Sequence, residues 1–180
     1  VAGYLGFLRS NVVPLLINKT VDDIFFNNLL QTYKPSYVFL PKNTPKLKLE
    51  GTEIFSYGLY TLFKTNYSMD VTIHNELALL MMTSGSTGSR KLVRQSYNNL
   101  SNNAASISQY LAITGADRPI TTMPMAYTYG LSIINSHLLS GASIILTNAT
   151  VMERGFWDKL KNASSTTFGG VPYTYEMLDK

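Results

Sequence analysis

The sequence contains no cysteine and only two histidines, His74 and His137. A disulfide framework and thiolate chemistry are therefore excluded, and a His-rich metal site has too few ligands. Charge is also scarce, with Asp, Glu, Lys and Arg making up 14% of the chain against about 25% in an average soluble protein. The longest apolar run, Leu77 to Met82, falls far short of the roughly 20 residues that a membrane-spanning helix needs, and no signal-peptide pattern stands at the start. Disorder is excluded in turn, because hydrophobic residues are 45% and aromatics 12%. One hundred and eighty residues bury about 70% of their unfolded surface, enough for a true core.

The net charge of +4 and pI near 9.2 raise the question of a nucleic-acid partner. The basic residues are scattered, and the one loose group, Lys42, Lys46 and Lys48, alternates with Pro41, Asn43 and Pro45. That pattern is a solvated loop more than an RNA surface. No nucleic acid and no membrane span are expected. Location in the cytoplasm is the expectation that the missing cysteines and signal leave.

Periodicity gives a succession of helices and strands. A short helix carrying Tyr4, Leu5 and Leu8 runs into a strand over Val12 to Ile17, and Thr20 with Asp23 has capping-box spacing for a helix from about 21 to 33. Lys34-Pro35 ends that helix, Tyr37 to Leu40 is a strand, and residues 41 to 53 are a polar loop. Glu53 to Tyr57 and Leu59 to Phe63 are strand pieces broken by Gly58, with their pairing left open. Leu77 to Met82 has the composition of a strand buried on both faces. Ser96 caps a helix with Leu100, Ala104, Ile107 and Leu111 on one face. A strand over Pro119 to Met123, a helix from Tyr129 to Leu139 closed by Gly141, and a strand over Ala142 to Leu146 follow. A brief helix over Phe156 to Lys161, a strand over Thr166 to Gly169 and a helix opened by Pro172 complete the pattern. The expected class is α/β, a layered and mostly parallel sheet flanked by helices, with no internal repeat. Both ends fall inside expected elements, the last helix still running at Lys180, so the chain reads as a fragment.

The sharpest feature is Thr83-Ser-Gly-Ser-Thr-Gly-Ser-Arg-Lys91, directly after the buried strand. Gly85 and Gly88 permit close backbone approach, so that successive N–H groups converge on an anion. Thr83, Ser84, Ser86 and Thr87 add hydroxyl groups and Lys91 a full charge. Together they make a phosphate cradle, and hydroxyls of this kind also ligate Mg²⁺ beside substrate phosphates. In isolation the same stretch reads as a flexible Ser/Gly linker; six apolar residues before it and a β-branched segment after it argue against that. The P-loop NTPase pattern fails, because Leu92 follows the lysine where Ser or Thr is required, and the Gly-x-Gly-x-x-Gly spacing of a dinucleotide loop is absent.

Leu80-Met-Met-Thr-Ser-Gly-Ser-Thr-Gly-Ser-Arg-Lys91 resembles the signature of the AMP-forming adenylating enzymes: acyl-CoA synthetases, aryl ligases, luciferases and the adenylation domains of nonribosomal peptide synthesis. Arg90 stands where that family usually has proline, and Leu92 where glycine is common. Three further stretches are similar in the same order: Ala2 to Pro14, Met123-Pro-Met-Ala-Tyr-Thr-Tyr-Gly-Leu131 with Gly141 to Leu146 after it, and Gly170-Val-Pro172. The resemblance implies an enzyme that activates a carboxylic acid with ATP and Mg²⁺, then passes the acyl group to an acceptor such as coenzyme A or a phosphopantetheine carrier protein. It places Thr83, Ser84, Gly85, Ser86, Thr87, Gly88 and Lys91 on ATP, with Thr87 and Lys91 as the catalytic pair and Thr83 or Thr87 nearest the metal. Tyr127, Tyr129, Gly130 and Gly170 fall on the substrate side. The position of Tyr127 is commonly histidine among acyl ligases, and plain packing accounts for Tyr127 and Tyr129 as well as substrate contact does. Residues 1–180 then correspond to part of the large N-terminal AMP-binding domain. Their sequence contains no Tyr-Gly-x-Thr-Glu segment, no later Gly-Asp motif and no C-terminal domain. The alternative is a noncatalytic nucleotide- or anion-binding module built on the same loop. A kinase-like enzyme is the weakest reading, because no paired carboxylates stand beside the loop.

Overall fold

The computed structural model describes residues 1–18, 21–42, 44, 49–68, 71–82 and 91–179. The chain forms two compact units, one of Val1–Asn18 with Asn75–Lys180 and one of Lys19–His74. Helix α1 (Ala2–Arg9) and strand β1 (Leu15–Leu16) open the first. Helix α2 (Asp23–Tyr33) and strands β2 (Tyr37–Pro41), β3 (Gly51–Tyr57) and β4 (Tyr60–Thr65) make the second. The first unit resumes with β5 (Leu77–Met82), β6 (Leu92–Ser96), α3 (Tyr97–Tyr110), β7 (Pro119–Ile120), α4 (Thr128–Leu139), α5 (Arg154–Asn162), β8 (Thr167–Phe168) and α6 (Pro172–Leu178).

The α/β class stands, with strand directions more mixed than the sequence pattern implies. In the first unit β1 pairs with β5 in parallel, β5 with β6 antiparallel, and β7 with β8 in parallel. The second unit is an antiparallel sheet of order β2-β4-β3. Its β3–β4 hairpin settles the open pairing: Tyr57 faces Tyr60 across a two-residue turn, and Gly58 at φ 55° supplies the positive φ that a type II′ hairpin requires at its first turn position. The strand begins at Gly51, inside the expected polar loop, where Gly51 pairs with Thr65 and lies against the Lys64 carbonyl with no room for a Cβ.

Several short strands are shorter than their hydrophobicity implies. Of Val12–Ile17 only Leu15 and Leu16 pair, since Pro14 has no N–H and contributes its carbonyl to the Leu80 amide at 3.0 Å. Of Pro119–Met123 only Pro119 and Ile120 pair, and of Thr166–Gly169 only Thr167 and Phe168. Ala142–Leu146 is not a strand but a single bridge, Ile145 to Ile120, in which the Ile145 amide donates to the Pro119 carbonyl at 2.8 Å. At the end of the chain α6 closes at Leu178 with Asp179 as its C-cap, short of the expected run to Lys180. The α2 cap also differs: Asp22, and not Thr20, accepts the Phe25 amide at 2.7 Å, so the helix starts at Asp23. Thr20 itself lies outside the described residues. The Ser96 cap of α3 is as expected, a full capping box with Asn99.

The core of the first unit gathers Tyr4, Ala78, Leu79, Met81 and Leu131, flanked by Leu16, Tyr97, Leu100 and Met125. Strand β5 is thus covered on both faces. Two hydroxyls fix α1 to its surroundings, Tyr4 to Asn135 Oδ1 at 3.2 Å and Tyr97 to the Leu8 carbonyl at 3.2 Å. Around β8, fully buried Phe156 meets Phe168 edge-on at 5.9 Å between ring centroids.

The turn before β7 is tied by Asp117, whose carboxylate accepts the Thr114 amide at 2.8 Å and the hydroxyls of Thr114 and Thr166. These bonds, the Thr114 amide first, hold its pKa below the ordinary 3.8. A carboxyl with a depressed folded pKa stabilises above its unfolded value and loses that contribution as pH falls through the folded one. Asp117→Asn is accordingly expected to lower the urea midpoint at pH 7 and to converge on wild type in acid; a gap of constant size across that pH range would refute the assignment.

Candidate functional site at the β5–β6 loop and the start of α4

Strand β5 ends at Met82 and β6 begins at Leu92, and these two residues are direct partners in the antiparallel ladder. Such partners have Cα atoms about 5 Å apart. Residues 83–91 therefore leave and re-enter the sheet at one place, anchored to a strand whose Ala78 and Leu79 are fully buried. Thr83, Ser84, Gly85, Ser86, Thr87 and Gly88 lie outside the described residues. Lys91 is described: it is exposed and immediately precedes β6, so its charge stands at the base of the loop.

Met125 and Leu131 pack into the same apolar cluster as Leu79 and Met81. The segment between them, which bears Tyr127, Tyr129 and Gly130, is thereby anchored to the strand that leads into the loop. Tyr127 is the N-cap of α4 with no side-chain cap bond, and 49% of it is exposed; Tyr129 is 41% exposed. Both rings reach solvent. Gly130 is buried instead, and a Cβ there would lie 2.6 Å from the Met123 carbonyl oxygen, with the Pro124 carbonyl closer still. The structure gives Gly130 a packing duty, the close approach of α4 to its own entry loop.

Gly169 lies beside α4, and its neighbour Gly170 lies against the start of α6. A Cβ at Gly169 would lie 2.7 Å from Ile133 Cδ1 and 3.2 Å from the Tyr129 hydroxyl; one at Gly170 would lie 3.1 Å from Thr174 Cβ. Thr122 donates to the Gly169 carbonyl. The structure thus brings Tyr129 to the Gly169–Gly170 turn. A shallow groove of about 280 Å³ runs between α3 and α4, lined by Asn103, Ile107, Thr128, Tyr129 and Ser132. Sequence reasoning singled out Tyr129 of these as a site residue and named Ile107 only as part of the apolar face of α3. The four-residue spacing of Asn103 and Ile107 was available as a signal, but it marks a helix face without saying what that face meets. In the second unit a separate cavity of about 470 Å³ is lined by Leu40, Lys42, Glu53 and Thr61 among others.

Among the described residues no group of three or more His, Asp or Glu side chains converges as a metal site. What the described residues offer is a pair of directly partnered strand ends that flank the Gly/Ser/Thr stretch, an exposed lysine just before β6, and an aromatic helix start packed against β5. That arrangement suits an anion and a bound organic group.

The sequence profile of the AMP-binding enzymes matches residues 1–180. The chain belongs to this family. Among curated relatives, 2-succinylbenzoate–CoA ligase of Bacillus velezensis is 33% identical over 72 residues, 40% of this chain and 15% of the relative. Among solved structures, o-succinylbenzoate CoA synthetase from Bacillus subtilis in complex with the acyl-adenylate OSB-AMP aligns at TM-score 0.69 with 19% identity, over 98% of this chain and 47% of that one. A malonyl-CoA ligase with methylmalonyl-CoA and AMP bound aligns at TM-score 0.74 with 21% identity, over 96% of this chain and 37% of that one. At such identities the structural likeness carries the fold of this AMP-binding chain. It spans less than half the length of each of these relatives.

Proposed function

We propose that the whole protein is an ATP-dependent carboxylic acid:AMP ligase. A carboxylate oxygen attacks the α-phosphorus of ATP, the bond to the β-phosphate oxygen breaks, and acyl-AMP and pyrophosphate form; a thiol, of coenzyme A or of a carrier protein, then takes the acyl group and releases AMP. The observation that carries this reading is the placement of the Gly/Ser/Thr stretch between two directly paired strand ends, within a chain that matches the AMP-binding family throughout. Backbone N–H groups, hydroxyls and an ammonium presented to the phosphates stabilise the charge that grows on departing pyrophosphate.

In this reading Ser84, Gly85, Ser86, Thr87, Gly88 and Lys91 hold the phosphates. Lys91 fits the role, exposed at the loop base. Mg²⁺ would neutralise charge on the phosphates, and Thr83 or Thr87 would help to hold it. Tyr127 and Tyr129, which both reach solvent, face the acid, with the Tyr129 hydroxyl beside Gly169. Residues 1–180 by themselves are inactive in adenylation, because they contain no segment for adenine and ribose.

The test is pyrophosphate–ATP exchange and hydroxamate trapping by the full-length protein across a panel of carboxylic acids with Mg²⁺. Exchange that depends on one class of acid is expected. Nucleotide binding without exchange for any acid would favour the noncatalytic module, and exchange by residues 1–180 alone would overturn the inactivity of that piece.

A further inference from the structure

We propose that His137 is a positioning residue for the Gly169–Gly170 turn, acting through Thr167. The inference rests on the reading in which that turn and Tyr129 border the acid. His137 is 5% exposed and lies near the C-terminal end of α4. Its Nδ1 is 2.8 Å from the Ile133 carbonyl oxygen and 3.4 Å from Ser136 Oγ; its Nε2 is 3.2 Å from Thr167 Oγ1. A carbonyl only accepts, so Nδ1 carries a proton, and in the neutral imidazole Nε2 then accepts from the Thr167 hydroxyl. The tautomer is fixed by the helix, and the free lone pair is aimed at β8.

Tyr129, Ile133 and His137 follow one another at four-residue intervals and so share one face of α4. That face meets a single short stretch of chain: Tyr129 and Ile133 abut Gly169, and His137 bonds Thr167. Strand β8 has just two paired residues; beyond it the Thr122 hydroxyl holds the Gly169 carbonyl, while at its first residue the His137–Thr167 bond ties the strand to α4. The His137–Thr167 bond supplies a directional tie that apolar packing of Ile133 lacks. A satisfied core histidine with no such duty would be replaceable by any side chain of its volume; this one requires an acceptor at the Nε2 position.

Gln places a polar atom where histidine has Nε2, whereas Asn reaches only as far as Nδ1. In the full-length protein, His137→Asn and Thr167→Val are expected to raise KM for the carboxylic acid in pyrophosphate exchange by about tenfold while KM for ATP stays within twofold. His137→Gln and Thr167→Ser restore wild-type values. Amide hydrogen exchange at Gly169 and Gly170 rises in the first two variants and not in the second two, and this readout needs no turnover. Equal losses in His137→Gln and His137→Asn, or unchanged amide exchange in Thr167→Val, would overturn the proposal. If the wild-type protein turns over no acid, the ligase reading falls and amide exchange alone decides the role of His137.

Discussion

Gly130→Ala is expected to destabilise the protein by about 2 kcal/mol, in the range for overpacking a tight contact, and to lower its melting temperature by several degrees. In a solvated helix the same change would stabilise, because glycine costs roughly 1 kcal/mol relative to alanine there. The sign reverses because the new Cβ meets backbone and not side chain: the Met123 oxygen at 2.6 Å, the Pro124 carbonyl carbon at 2.9 Å and its oxygen nearer. Backbone atoms have no rotamer to move to, so α4 must lift from its entry loop. That motion strains the Tyr127 amide bond to the Pro124 carbonyl at 3.0 Å and the Leu131 amide bond to the Tyr127 carbonyl at 3.0 Å, and it pulls Leu131 from the core around β5. Gly155→Ala in α5 is the control, since nothing lies within 4 Å of its would-be Cβ. Thermal unfolding of the two variants followed by circular dichroism separates them: Gly155→Ala melts at or slightly above wild type. A Gly130→Ala protein as stable as wild type would remove the close approach from the account of this site, and with it the reason that Tyr127 and Tyr129 are held beside β5.

Much of this architecture was legible in residue order because local signals and tertiary demands agree. The six apolar residues of β5, the Ser96 cap and the Pro172 start each specify their element through short-range chemistry, and each appears where expected. Misjudged lengths share one cause. Val12–Ile17, Pro119–Met123 and Ala142–Leu146 are hydrophobic enough for strands, but strand length is set by backbone partners, and Leu15–Leu16, Pro119–Ile120 and Ile145 have partners for only one or two residues. The antiparallel return of β6 onto β5 was equally hidden, because the period of two that marks a strand carries no direction. For the site, the loop and the aromatic helix start announced themselves by residue type. Gly130 was noticed for its resemblance to a substrate-side motif, and only coordinates reveal the carbonyls that exclude a side chain. His137 was counted as too little for a metal centre; its bond to Thr167 joins positions 30 residues apart and leaves no pattern in the sequence.

The largest functional effect is expected from the loop itself: Lys91→Ala combined with Thr87→Ala should lower kcat/KM for ATP in the full-length protein by 10²-fold to 10³-fold, the scale of losing preorganised donors to a developing anion. Each single variant should retain part of the rate, with Lys91→Ala raising KM for ATP more than it lowers kcat if the lysine mainly draws the triphosphate to the loop. Lys91 precedes β6 at the exposed rim of a ladder whose Met82–Leu92 pairing does not depend on its side chain. Thermal unfolding of Lys91→Ala, set beside its kinetics, separates the loss of activity from any loss of stability. That separation of activity from stability distinguishes a phosphate contact from a structural one. Arg90 provides an internal comparison, since it adds charge at the neighbouring position where the resemblance expects proline. If Arg90→Ala costs as much as Lys91→Ala, general positive potential draws the nucleotide; if Lys91→Ala costs far more, one placed ammonium does. Rates within twofold of wild type in the double variant would sink the cradle assignment, whatever carboxylic acid the enzyme prefers.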